Sequence, residues 1–321
     1  MTELRWNPTV REWVSTASAR QGRPLMPSGW CPFDPGSGRV PERYDVLIYP
    51  NDFPAFSIPP AAPAIDGDGL YRVRPSLGKC DVVLYHPGHN KLLAELPITH
   101  ITKVVRLWRK RFEELRAMRG IRYVLIFENK GAVIGVTMPH PHGQIYAFPF
   151  IPPRLQKEVA AARDYQRAHH RCLYCDILKK ERSDGRRAIA ENDSFSAFIP
   201  FYARWPYEVH ILSRRHLGTL ADFRPAEEKS LAQMLKWVIS KYDNLYGFSF
   251  PYMMVLHQAP VRGNTSFFHF HIEFYPPYRS KDKLKYLAGV ETGAGTFLND
   301  SLAEEKAVEL RAARPARAPA R

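Results

Sequence analysis

Apolar positions along the chain fall into short strand-like runs around long helical stripes, and the arrangement occurs twice. Residues 44–48 and 82–85 are β-branched and aromatic runs bounded by Pro, Gly and Asn, which predicts strands. Across 99–118, Val104, Val105, Leu107, Trp108, Phe112 and Leu115 recur near helical spacing with Lys and Arg between them, and Gly120 stops the pattern. Strands at 123–127 and 143–148 follow. A proline-rich hinge at 149–153 and a helix at 155–168 lead into a second set, whose long helix over 225–246 opens on Glu227-Glu228 and carries Leu231, Leu235, Trp237 and Val238.

The motifs themselves repeat in order. Asn51-Asp52-Phe53-Pro54-Ala55-Phe56 returns, loosened by one residue, as Asn192-Asp193-Ser194-Phe195-Ser196-Ala197-Phe198. Asp81-Val82-Val83-Leu84 with His89 aligns with Glu208-Val209-His210-Ile211 and His216, at an offset of 127. At 129, Tyr123-Val124-Leu125-Ile126-Phe127 aligns with Tyr252-Met253-Met254-Val255-Leu256, and His140-Pro141-His142 with His269-Phe270-His271. Four ordered matches indicate a diverged duplication. One long helix per small sheet, with few parallel crossovers, argues an α+β fold. The expected division is a catalytic half over 1–150, a second half over 151–311 and a basic, disordered tail over 312–321.

Composition narrows the function classes. With 45% apolar residues in 321, wholesale disorder is excluded, and no apolar run is long enough for a transmembrane helix. The N-terminus has no apolar signal core. Four cysteines make no disulfide scaffold, and Cys172-x-x-Cys175 has metal-ligand spacing, which together point to a reducing cytosol. A net charge of +14 favours an anionic partner. The basic residues are scattered without a nucleic-acid recognition motif, so phosphorylated small molecules fit better than nucleic acid or a membrane.

The sharpest chemistry is Pro139-His140-Pro141-His142-Gly143-Gln144. On a strand, His140, His142 and Gln144 share one face. Three such polar groups in line are poorly explained by packing, which leaves metal binding and nucleophilic catalysis. Pro141 removes a backbone donor, and Gly143 is expected to let a substrate approach the chain.

HPHGQ preceded by Phe127-Glu128-Asn129-Lys130-Gly131 resembles the galactose-1-phosphate uridylyltransferases of the histidine-triad superfamily. Asn7-Pro8 with Glu12-Trp13-Val14, Arg20, Arg23-Pro24, Asn51-Asp52-Phe53, Phe274-Tyr275-Pro276-Pro277 and the segment from Lys285 to Glu291 extend the resemblance over nearly all of 5–300. It implies two histidine-triad-like copies, each an antiparallel sheet with a long helix, packed as one pseudo-symmetric body. His142 would attack the α-phosphorus of UDP-glucose, Gln144 would donate to a phosphoryl oxygen, and the His140 carbonyl would orient the His142 ring. Asn129, Gly135 and Thr137 would hold phosphates and ribose. Asn51 and Asp52 would bind uridine, with Phe33 and Phe53 beside the base; taken alone, that Asn-Asp pair reads as a turn. Arg20 and Arg23 would reach a neighbouring subunit of a homodimer. Lys285, Tyr286 and Glu291 would contact the hexose, although Phe297 stands where the family has Gln.

Two four-ligand zinc sites are expected at equivalent places in the copies. Cys172, Cys175, His216 and His269 make a good tetrahedral set from chemistry alone. Cys31, Asp34, His89 and His140 resemble the family's zinc site, with Asp34 where a second Cys is usual. A further family site, for iron or zinc, maps onto Glu158, His257, His271 and Glu273, the last replacing a histidine; a hydrogen-bonded polar patch is the competing reading. His271 occupies the nucleophile's equivalent position without the following Gly and Gln, and is not expected to be catalytic. The leading reading is a cytoplasmic ping-pong enzyme of galactose metabolism, exchanging hexose 1-phosphates on UDP. An ADP-glucose or other nucleoside-diphosphate-sugar phosphorylase is the alternative. A basic nucleotide- or nucleic-acid-binding module without turnover is the distant one.

Overall fold

The computed structural model describes residues 2–22 and 29–314. Strands β1 (Thr2–Asn7), β2 (Glu12–Ala17), β3 (Leu47–Pro50), β4 (Val73–Pro75) and β5 (Lys79–Leu84) lead to helix α1 (Ile98–Ala117). β6 (Tyr123–Lys130) and β7 (His142–Phe148) complete the first copy. Helices α2 (Pro153–His169) and α3 (Leu173–Asp184) connect to β8 (Ala188–Glu191), β9 (Phe195–Phe198), β10 (Val209–Ser213) and helix α4 (Pro225–Tyr246). β11 (Tyr252–His257), β12 (His271–Tyr275), β13 (Tyr278–Ser280), β14 (Lys283–Leu284) and α5 (Ala303–Ala312) finish the chain.

The expected α+β architecture is present, with both copies fused into one nine-stranded antiparallel sheet of order β3-β5-β7-β6-β11-β12-β10-β9-β8. α1 and α4 pack together on one face. Their buried stripes, Ile101, Val104, Val105, Trp108, Phe112 and Leu115 on α1 and Leu231, Met234, Leu235, Val238 and Tyr242 on α4, share one core with Ile126, Ile145, Leu256 and Ile272 of the sheet. Local chemistry sets the helix ends. Pro225 opens α4, where the Glu227 carboxylate accepts the Arg224 amide at 2.7 Å, and Gly247 closes it at a φ of 75° that favours glycine.

The ladders fix the pseudo-symmetry more finely than the motif matches do. Phe127 pairs with Gln144 as Val255 pairs with Glu273, and Phe127 pairs with Val255 itself. The pseudo-dyad therefore passes between Phe127 and Val255, at an offset of 128. The offset of 129 expected for β6 and β11 is one residue out, as is 127 for β5 and β10, while 129 holds for β7 and β12: Leu84 opposes His142 as Leu212 opposes His271. A one-residue slip exchanges the faces of a strand, so it matters which is right. The Asn51/Asn192 match also fails as a structural equivalence. β3 lies before Asn51 while β9 lies after Asn192, yet Ile48 of β3 pairs with Val83 as Ala197 of β9 pairs with Ile211. Short polar turn sequences recur without shared ancestry of position.

On the opposite face the copies differ. In the second, α2 and α3 lie over the sheet, with Val159, Ala162, Tyr174 and Leu178 packed on Phe198, Leu212 and Phe268. In the first, the face carrying His142 and Gln144 stays open. A small sheet of order β2-β1-β4 packs Leu4 and Trp13 near Phe56, Tyr146 and Phe148, at the far end of that open face. No helix of the described residues is long and apolar enough to cross a membrane.

Candidate active site and metal-ligand clusters

β7 alternates as its sequence requires. His142, Gln144, Tyr146 and Phe148 are half-exposed on the open face, while Gly143, Ile145 and Ala147 are buried toward α1. His142 Nδ1 lies 2.7 Å from the His140 carbonyl oxygen, which can only accept, so Nδ1 carries the proton and Nε2 the lone pair. The carbonyl therefore does orient the ring as expected. Gly143 has a different purpose from the one expected of it. A side chain here would point away from His142, and its Cβ would lie 2.1 Å from the Tyr85 hydroxyl. Its absence makes room for Tyr85 beneath the sheet, not for a substrate above it.

Two cavities meet at His142 and share only Thr137, Met138 and His142. The first, of about 260 Å³, is lined by Trp30, Phe33, Phe53 and Val82 with Asn51, Asp52, Arg39, Tyr49 and Gln144. The second, of about 270 Å³, is lined by Lys91, Asn129, Lys130, the Gly131-Ala132 turn and Ser249. In the first, Asn51 acts as the turn residue it resembles, its side-chain oxygen accepting the Phe53 amide at 2.9 Å. Asp52 is clamped by Arg39 Nη2 at 2.6 Å and by the Tyr49 hydroxyl at 3.1 Å. Trp30, Arg39, Tyr49, Lys91 and Ser249 were not foreseen. Their signal was weak: Trp30 precedes Cys31, Lys91 follows His89 by two, and Ser249 arrives from the second copy.

Other expected site residues are dispersed. Gly135, at a φ of 80°, ends the short turn before Thr137 and lines neither cavity. Arg20 donates to the Tyr146 hydroxyl at 3.3 Å, on the open face but outside the cavities; Arg23 lies outside the described residues. Lys285 pairs with Glu291 at 3.3 Å beside an exposed Tyr286, again outside both cavities. Phe297 packs near Trp205 and beneath the Arg204 guanidinium.

Both expected zinc-ligand sets converge, each with its ligand atoms within 4.8 Å of one another. Cys175 Sγ lies 3.5 Å from His216 Nδ1 and 3.4 Å from His269 Nδ1. The outer nitrogens donate to backbone carbonyls, His216 Nε2 to Ser266 at 2.9 Å and His269 Nε2 to Ser213 at 2.8 Å, so both Nδ1 lone pairs face the thiols. Hydrogen bonding from Cys175 holds the Cys172 thiol far below its ordinary range. In the first copy Asp34 Oδ1 lies 2.9 Å from His89 Nδ1 and 3.0 Å from His140 Nδ1, beside buried Cys31. Burial pushes the His140 pKa down, which keeps its ring neutral as a ligand must be. His140 thus joins the cluster through its ring and orients His142 through its carbonyl.

The further set is only partly assembled. Glu158, His257 and His271 converge, and buried His271 Nε2 has no hydrogen-bond partner, as suits a metal ligand. Glu273 stands beside them, Oε1 3.5 Å from His271 Nε2 and Oε2 3.6 Å from His257 Nε2, and has other partners too. Arg154 Nη2 donates to it at 2.7 Å, Tyr275 also donates, and it groups with Glu208 and His210 in an adjacent cluster. The four expected residues are therefore near one another, with Glu273 shared between the set and an ion-pair network.

A galactose-1-phosphate uridyl transferase N-terminal domain matches residues 34–152, and the C-terminal domain matches 158–318. The chain belongs to the galactose-1-phosphate uridylyltransferase family. It is 43% identical to the Thermotoga maritima galactose-1-phosphate uridylyltransferase over 97% of its own length and 98% of that protein's. The Haemophilus influenzae enzyme is 34% identical, covering 96% and 93%. A solved uridylyltransferase structure superposes with a TM-score of 0.90 at 37% identity, covering 97% of this chain and 98% of that one. An Arabidopsis thaliana ADP-glucose phosphorylase shares the fold at a TM-score of 0.76 and 23% identity. In this chain, HPHGQ lies where the two cavities meet.

Proposed function

We propose that this enzyme transfers UMP from UDP-glucose to galactose 1-phosphate, giving UDP-galactose and glucose 1-phosphate, through a uridylyl-histidine at His142. The observation that carries the reading is the 2.7 Å bond from His142 Nδ1 to a backbone carbonyl at the meeting point of two cavities. It turns Nε2 toward the substrate as the nucleophilic nitrogen. A covalent intermediate then divides one hard transfer into two easier ones. In the first cavity Phe33, Phe53 and Trp30 offer apolar walls for a base, and Asn51 and Asp52 offer polar groups for ribose. Gln144 and Thr137 are suited to donate to the phosphoryl oxygens on which charge develops. Asn129 and Gly135 keep their phosphate-binding assignment.

Zinc at Cys172, Cys175, His216 and His269 is a structural role in this reading, supported by the outer hydrogen bonds that aim both imidazoles. Zinc at Cys31, Asp34, His89 and His140 would stiffen the residue whose carbonyl orients His142. Any further iron or zinc would be held by Glu158, His257 and His271, with Glu273 beside them. The halves divide near residue 150 and share one catalytic body. A homodimer fits because Lys285, Tyr286, Glu291 and Arg20 line neither cavity of their own protomer. A second copy could supply them.

The test is incubation with UDP-glucose labelled at the α-phosphate, without acceptor. Label is expected on protein, discharged by galactose 1-phosphate and absent from His142→Gly. Labelling by ADP-glucose in place of UDP-glucose would assign the chain to the phosphorylase reading.

A further inference from the structure

The two cavities differ in chemistry, and the difference assigns a part to a lysine outside the HPHGQ and FENKG motifs. The first cavity is walled by Trp30, Phe33 and Phe53, as a nucleoside requires. The second, also largely apolar, carries two lysines. Lys130 there is already committed, its ammonium 2.6 Å from Asp243 and over the Tyr252 ring. Lys91 lines the same cavity with no carboxylate of the described residues paired to it. Buried Glu128 also reaches the cavity, but its carboxyl accepts from the Tyr252 hydroxyl at 2.8 Å, and burial lifts its pKa to about 7, so it opposes Lys91 only weakly near neutrality.

Resting on the uridylyl-transfer reading, we propose that Lys91 binds the departing sugar phosphate. His142 Nε2 forms a bond to the α-phosphorus, and the bond from that phosphorus to the bridging oxygen breaks. The bridging electron pair leaves with the sugar 1-phosphate, which departs as a dianion and needs no proton. The group that assists must therefore supply positive charge, not an acid. With UMP in the first cavity, the leaving oxygen emerges into the second, where the Lys91 ammonium meets it. In the reverse half-reaction the same ammonium holds the incoming hexose 1-phosphate.

The experiment compares two donors in single-turnover labelling: UDP-glucose, and uridine 5′-phosphoimidazolide, whose leaving group is neutral and carries no phosphate. Lys91→Ala is expected to slow labelling from UDP-glucose by about 100-fold, the scale of removing one group that stabilises developing charge. Its rate from the phosphoimidazolide should match wild type, which also reports an intact site. Lys91→Arg should recover most of the UDP-glucose rate. Equal slowing on both donors, or no slowing on either, overturns the assignment. A wild type labelled by neither donor overturns the uridylyl reading itself, and this one with it.

Discussion

Gly143→Ala separates two meanings of the glycine inside HPHGQ. If the residue exists to let substrate approach, alanine should weaken substrate binding and leave stability alone. The structure predicts the reverse. The backbone of Gly143 is ordinary strand, locked between Val83 on one side and β6 on the other. A new Cβ would lie 2.1 Å from Tyr85 Oη, 2.9 Å from Tyr85 Cζ and 3.1 Å from the Phe127 carbonyl oxygen. Tyr85 is only 1% exposed and its ring packs against Trp108 at 5.8 Å, so it has little room to yield. Overpacking of this kind costs about 1–3 kcal/mol. Urea denaturation of Gly143→Ala should show that loss with an unchanged slope. In a Tyr85→Phe background the 2.1 Å contact vanishes and the nearest becomes 2.9 Å. The alanine should then cost at least about 0.5 kcal/mol less, the scale of coupling between touching residues. An alanine variant as stable as wild type, with a raised KM for UDP-glucose, would refute the steric argument.

Two further outcomes follow from buried groups. Burial lifts the Glu128 carboxyl from its ordinary 4.5 to about 7, with the Tyr252 hydroxyl and the Lys130 ammonium pulling it back. Its folded value lies above its unfolded one, so between those values the folded state holds the extra proton. Stability from this group is thus full below the unfolded value and is lost as pH rises through 7, by about 3 kcal/mol in all. Glu128→Gln should flatten the fall in urea stability between pH 5 and pH 7.5; an unchanged slope counts against the buried acid. Elemental analysis of Cys172→Ser should find about one zinc fewer per chain than wild type. Equal zinc contents would reject the tetrahedral set.

The sequence made legible whatever depended on local pattern. The stripe through Val104, Trp108 and Phe112 became α1, and β7 alternates as HPHGQIYAF demands. Both four-ligand sets meet in space because their residues sit at matching places in two copies of one topology. Register was less legible. Insertions in loops shift motif matches by single residues, so alignment by motif gave 129 for β6 and β11 and 127 for β5 and β10, where the ladders put both at 128 and leave only β7 and β12 at 129. Contacts between copies were not legible at all. Ser249 reaches the second cavity from beyond α4, and Glu273 turns to Arg154 on α2, because only the fold brings those segments together.

The comparison of His142 with His271 shows what divergence removed. His271 Nδ1 donates to the His269 carbonyl at 2.9 Å, the same device that orients His142 on His140 at 2.7 Å. Tautomer and ring support were therefore retained in the second copy. What changed is access. Tyr174 of α3 stacks on His271 with ring centroids 4.5 Å apart, and the ring is wholly buried. Burial alone would keep His271 from a phosphorus, whatever residues follow it. The insertion of α2 and α3 between the copies thus separates their roles: it covers one histidine-bearing face and packs the Cys172-x-x-Cys175 turn beside it, while the other face stays open to substrate. In the proposed reading, catalytic competence depends on which face the connecting helices cover, more than on the histidine motif alone.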